Sequence, residues 1–129
     1  DDTGHVYGWE SREHADGLRA SDALVHDFLS ELEQTYGLSQ TLVIFTADHG
    51  GHAHNHGSDL PDDMLIPWIA YGWAVTSGEL QTPIITVDTT PTIAWAFGLP
   101  LSPSWDGSPV YEAFGRTDIP RQDTLCQWP

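Results

Sequence analysis

At 129 residues, with 40% hydrophobic residues and 6 tryptophans, the chain can bury one modest core and is too apolar to be a disordered acidic segment. Nineteen carboxylates against 4 arginines and no lysine give a formal charge of −15, which excludes the basic footprint that nucleic-acid binding requires. No apolar run approaches the roughly 18 residues of a membrane span, and the single cysteine, Cys126, excludes an intrachain disulfide. The same charge repels anionic substrates, so any attraction must come from local cationic charge such as a metal ion.

The chain opens on Asp1-Asp2-Thr3-Gly4-His5 with no initiator Met and no basic-then-apolar leader, and reads like the end of a strand cut at its start. By spacing, Asp1 is the candidate metal ligand to pair with His5, with Asp2 as the alternative. Val6-Tyr7-Gly8-Trp9 is a glycine-broken turn whose aromatics either wall a pocket or cover the core. From Ser11 to Tyr36, Leu18, Val25, Phe28, Leu29, Leu32 and Tyr36 draw one apolar stripe, which predicts a helix. Ser11 is its expected N-cap and Gly37 its stop, while Gly17, costing about 1 kcal/mol in a helix interior, allows a later start at Ser21 or Asp22. His26 falls on its solvent side.

Thr41–Ala47 has little polar alternation and predicts a strand covered on both faces. It runs into Asp48-His49-Gly50-Gly51-His52-Ala53-His54-Asn55-His56-Gly57, where a short apolar strand spills carboxylate and imidazole into a glycine-rich loop. That is how α/β proteins present metal ligands at a sheet's carboxyl edge. Leu65–Tyr71 predicts another strand, with Pro67 marking an edge or bulge. Thr82–Val87 is a short strand or extended arm. Asp88-Thr89-Thr90-Pro91 starts a second helix, with Asp88 as its expected cap, and Ile93–Phe97 carry it to Gly98. Val110–Phe114 reads as a short helix, and the tail to Pro129 carries no clear element.

Three pieces in one order, Asp1-x-x-Gly4-His5, Asp48-His49-Gly50 and His56-Gly57, are followed by Ile66-Pro67-Trp68-Ile69-Ala70-Tyr71-Gly72 and Asp88-Thr89-Thr90-Pro91-Thr92. Together they resemble the carboxyl-terminal half of the alkaline phosphatase superfamily, nearest its nucleotide pyrophosphatase/phosphodiesterase and sulfatase-like branches. The resemblance covers residues 1–115, leaving 116–129 as a tail. It implies part of a doubly wound, three-layer α/β/α domain with a mostly parallel sheet. It also implies two metal ions in the intact enzyme, zinc in most members, with Mn2+ or Ca2+ as alternatives.

Carried over residue by residue, the resemblance gives Asp1, His5 and His56 to one metal and Asp48 and His49 to the other. The family's remaining Asp ligand and its Thr or Ser nucleophile come from an earlier part of the chain, and nothing here precedes Asp1. The sequence therefore holds no catalytic nucleophile, and the other ligands are expected from a missing amino-terminal half or another chain. Three ligands complete one site and two leave the other weak. The implied activity is hydrolysis of a small phosphate ester of phosphodiesterase or phosphatase type. Sulfatase, phosphosugar mutase, and an inactive fragment or His-rich metal-binding domain are the alternatives. His52 and His54 lie outside the matched pattern and read as exposed loop residues, or as partners of substrate or of a carboxylate. The resemblance allows an extracytoplasmic location and the residues themselves specify none.

Overall fold

In the computed structural model, which describes residues 1–119, the chain opens with a helix where a strand end was expected. The Asp1 carbonyl accepts from the Gly4 and His5 amides at 2.9 and 3.2 Å, and α1 runs over Asp2–Tyr7. Gly8, at φ 96°, ends it in a conformation that side chains rarely adopt. Ser11 then caps α2, Arg12–Thr35: its hydroxyl accepts from the His14 amide at 3.0 Å and donates to the Gly8 carbonyl at 2.6 Å. The helix does not wait until after Gly17. A Cβ at that position would lie 3.2 Å from Thr3 Oγ1, so the glycine lets α1 and α2 approach closely, a contact that offsets its poor propensity. Gly37, at φ 75°, follows the helix as predicted, and His26 is exposed. The stripe itself is largely bare, with Leu18, Phe28 and Tyr36 58, 60 and 68% exposed.

Two strands follow, β1 at Leu42–Thr46 and β2 at Trp68–Gly72. They pair antiparallel, with Leu42 opposite Gly72, Ile44 opposite Ala70 and Thr46 opposite Trp68. This departs from the expected mostly parallel sheet. A parallel return needs a long crossover, usually helical. Here the connection is spent on a folded loop and one short helix, α3, Pro61–Met64, so the chain comes back alongside its own strand. The expectation of cover on both faces also fails among the described residues. Phe45, Ile69 and Tyr71 share one face and are 45, 55 and 55% exposed, whereas Ile44 and Ala70 on the other are half-buried. Pro67 lies just outside β2, its carbonyl accepting from the Thr46 hydroxyl at 2.9 Å. These elements belong to the first of two compact units, Asp1–Trp73.

The second unit, Ala74–Pro129, is described to Ile119; most of the predicted tail, Cys126 included, lies outside the described residues. The chain from Thr82 is extended without forming a strand and tightens into a 3-10 turn at Thr86–Asp88, which leads into α4, Thr89–Ala96. Asp88 is fully buried. Its carboxylate accepts from the Ile85 and Ser108 amides, each at 2.9 Å, and so ties the helix entry to a distant loop, in place of the expected cap on α4. Thr92, also fully buried, donates to the Asp88 carbonyl at 2.6 Å and accepts from the Val110 amide at 2.9 Å. Pro91, Ala94, Val110 and Ala113 are buried with this polar knot, and the short helix read at Val110–Phe114 forms as a 3-10 helix over Tyr111–Phe114.

Candidate functional site

The candidate site lies within the first unit, where α1 meets the loop after β1. Being helical, α1 places Asp1 and His5 one turn apart on the same side. His5 Nε2 is 3.4 Å from Asp1 Oδ1. The loop then brings in His56, 51 residues further along the sequence. One ligand atom each from Asp1, His5 and His56 lie within 4.8 Å of one another, and the His5 and His56 ring centroids are 5.0 Å apart. These three could hold a metal ion.

His49 stands at the edge of the group. Its ring stacks on His56 at a centroid distance of 3.7 Å, with its Nε2 3.9 Å from Asp1 Oδ1. Asp48 is beside it: Oδ2 is 3.7 Å from His49 Nε2, and Oδ1 accepts from the His49 amide at 3.2 Å. Asp1 thus lies between the two sets of candidate ligands. The Asp48 side chain is 90% exposed, so this second pair is the more open of the two. Asp2, the alternative to Asp1, is exposed on α1 and is not in the group.

Backbone carbonyls orient the imidazoles. His5 Nδ1 is 3.0 Å from the His54 carbonyl and His49 Nδ1 is 2.7 Å from the Gly50 carbonyl. A carbonyl only accepts, so both rings carry hydrogen on Nδ1, and in the neutral form the lone pair is left on Nε2, the nitrogen turned toward Asp1. Metal-binding histidines are commonly held in this way.

Trp9, which the sequence left between pocket wall and core cover, stands against the candidate ligands and also covers the Gly4 and Gly51 backbone. Its ring meets His5 edge-on at 4.9 Å, His56 at 5.9 Å and His14 at 5.7 Å. Two glycines make room for it: a Cβ on Gly4 would stand 2.6 Å, and one on Gly51 2.1 Å, from indole carbons. Behind it, His14 Nδ1 and Thr3 Oγ1 are hydrogen-bonded at 3.0 Å, which links α2 to α1.

The two histidines outside the matched pattern are both engaged. His54 and His5 exchange hydrogen bonds, each Nδ1 donating to the other's carbonyl, at 3.1 and 3.0 Å. His52 Nδ1 donates to Asp63 Oδ1 at 2.7 Å, the carboxylate alternative of the sequence reading. Asp63 is buried, and its other oxygen accepts from the Ser58 amide and hydroxyl at 2.8 and 2.6 Å. The hydrogen bond from His52, followed by those from Ser58, lowers its carboxyl to about 2. Nothing in the pattern of residues around Asp63 signals this role, because its partners lie 5 and 11 residues away across a turn.

The sequence profile of the type I phosphodiesterase/nucleotide pyrophosphatase family matches residues 1–70, which carry every candidate ligand. A sulfatase of Metarhizium majus is 31% identical over 107 residues, covering 77% of this chain and 25% of the relative. Arylsulfatase K of Danio rerio is 27% identical over 114 residues, or 84% of this chain and 22% of the relative. GPI ethanolamine phosphate transferase 1 of Gibberella zeae is 35% identical over 82 residues, or 63% of this chain and 8% of the relative. The chain therefore spans a quarter or less of the length of these relatives, and no solved structure matches it. With more than half of its residues matched by the profile, the chain belongs to the type I phosphodiesterase/nucleotide pyrophosphatase family of the alkaline phosphatase superfamily.

Proposed function

We propose that the chain supplies the carboxyl-terminal ligands of a metal-dependent enzyme that hydrolyses phosphoric esters of phosphodiesterase or phosphatase type. The observation that carries this reading is the approach of Asp1, His5 and His56 to within 4.8 Å across 51 residues of intervening sequence. Their chemistry fits zinc. One carboxylate and two imidazoles are a typical catalytic donor set, and two ligands on a tetrahedral zinc stand about 3.4 Å apart, the separation His5 and Asp1 already have. His56 needs only a small movement to join them. Asp48 and His49 are the matching pair for a second ion, completed by chain outside these 129 residues. In that larger protein the antiparallel pair β1–β2 becomes part of a doubly wound three-layer sheet.

Zinc ions bound there would activate an attacking oxygen on one side of the ester and stabilise the leaving oxygen on the other. The residues present do the rest. Asp1, between His5 and His49, sets the two groups of donors at a fixed spacing. The His54 and Gly50 carbonyls keep Nε2 of His5 and His49 as the donor atoms. Trp9 closes one wall against water. The local cationic charge also answers the repulsion that a net charge of −15 exerts on an anionic substrate.

A second reading, hydrolysis of sulfate esters, is favoured by the two sulfatase relatives, which cover 77 and 84% of this chain. Assay of the full-length protein on an aryl phosphate and an aryl sulfate separates the two. Calorimetric titration of the 129-residue chain with zinc tests the site itself: one tight ion per chain is expected, lost in Asp1→Asn, His5→Ala and His56→Ala. A His-rich sequestering loop would be indifferent to Asp1 and His5, so wild-type binding in those two variants, or two tight ions per chain, overturns the assignment.

A further inference from the structure

The loop that carries His56 is tied down on two sides: to the α1 segment, where the Ala53 carbonyl accepts from the Trp9 amide at 2.7 Å and His54 exchanges hydrogen bonds with His5, and to Asp62 and Asp63 at α3. Its entry is held by backbone: the Gly50 amide donates to the Asp63 carbonyl and the Gly51 amide to the Asp62 carbonyl, both at 2.7 Å. Its middle and exit are held by one side chain, since the Asp63 carboxylate accepts from His52 on one oxygen and from the Ser58 amide and hydroxyl on the other. His52 and Asn55 also pair through their backbones at 3.0 and 2.9 Å, which folds the segment between them into a tight turn. His56 therefore sits on a short arch whose feet, residues 52 and 58, stand on the same carboxylate. His49 directly precedes the other anchor. The carboxylate is 1% exposed, so water cannot replace a tie that is cut.

We infer that Asp63 is a positioning residue for the candidate metal site: it fixes the His52–Ser58 arch and so sets where His56 stands relative to Asp1 and His5. The inference rests on the metal-site reading above and goes beyond it, because Asp63 is itself no ligand. Asparagine at this position can accept from one foot, but its amide group opposes the donors of the other. The arch then keeps its ties to α1 at Ala53 and His54 but loses a foot, and His56 shifts with the freed end.

In the full chain, Asp63→Asn is expected to weaken zinc binding about 10–100-fold, the usual cost of losing a group that orients a metal ligand. Cobalt(II) bound in place of zinc is expected to show an altered visible absorption, which loss of global stability alone would not produce. Wild-type affinity with a wild-type cobalt spectrum overturns the inference. Where Asp63→Asn fails to fold, Ser58→Ala and His52→Gln each cut one tie and leave Asp63 in place. Weaker zinc binding in either supports the arch, and wild-type affinity in both overturns it. Hydrogen exchange on metal-free protein separates this inference from the reading beneath it. Faster exchange of amides 52–58 in the Asp63 variant, or in the Ser58 and His52 variants, with α2 unchanged, supports the arch even if zinc never binds the wild type. Unchanged exchange there counts against it whatever zinc does.

Discussion

Asp63 and Trp9 carry much of the site without offering a ligand to it. Asp63 holds its charge where a carboxyl would otherwise be neutral: hydrogen bonds from His52 and then Ser58 lower it from 3.8 to about 2. A group depressed in the folded state stabilises that state above its unfolded value, and the contribution disappears as pH falls through the folded one. The stability difference between wild type and Asp63→Asn in urea unfolding is therefore expected to be flat from about pH 5 to 7 and to narrow as pH drops from about 4 toward 2. A difference that widened on acidification would mean that the carboxyl is protonated in the fold. Asp1, His5, Asp48, His49 and His56 were legible as candidate ligands from the order of their motifs, and the fold brings ligand atoms of Asp1, His5 and His56 within 4.8 Å of one another. Trp9 and Asp63 could not be assigned in this way. Their roles depend on which glycine faces the indole and which turn closes over the carboxylate, and both are settled by tertiary contacts.

Among the elements, α2 was the most legible because a helix of 24 residues repeats its apolar spacing several times and is bracketed by Ser11 and Gly37. Helices α1 and α3, of 6 and 4 residues, are too short to show a period, so the first was read as a strand end and the second not at all. Both strands were legible as apolar runs, but their direction was not, because strand pairing is a property of the connection and not of the strands. The cap of α2 bears on the site. Ser11 holds the His14 amide and the Gly8 carbonyl together, and His14 lies against Trp9. Ser11→Ala is expected to cost about 1 kcal/mol of unfolding free energy. A shift in the fluorescence of Trp9 should accompany it, measured in a variant whose other tryptophans are replaced by phenylalanine. A cost below a few tenths of a kcal/mol would show that the α1–α2 junction is held by the helix packing at Gly17 instead.

At the scale of the whole molecule, two opposing features meet. The uncovered α2 stripe and the open face of the strand pair present Leu18, Phe28, Tyr36, Ile69 and Tyr71, each more than half exposed, and exposed apolar side chains of this size favour association. A net charge of −15 opposes it, since every copy repels every other. Salt separates the two terms. Raising ionic strength from about 0.1 to 1 M shortens the screening length from about 10 to 3 Å and leaves apolar attraction in place. The 129-residue chain is therefore expected to be monomeric in dilute buffer and to associate as sodium chloride is added, with light scattering reporting the change. Replacing Phe28 and Tyr36 by glutamate should abolish the salt-induced association by putting charge on two of the stripe's exposed members. Association that instead dissolves as salt rises would assign the contact to paired charges, and the bare apolar faces would then have no part in it.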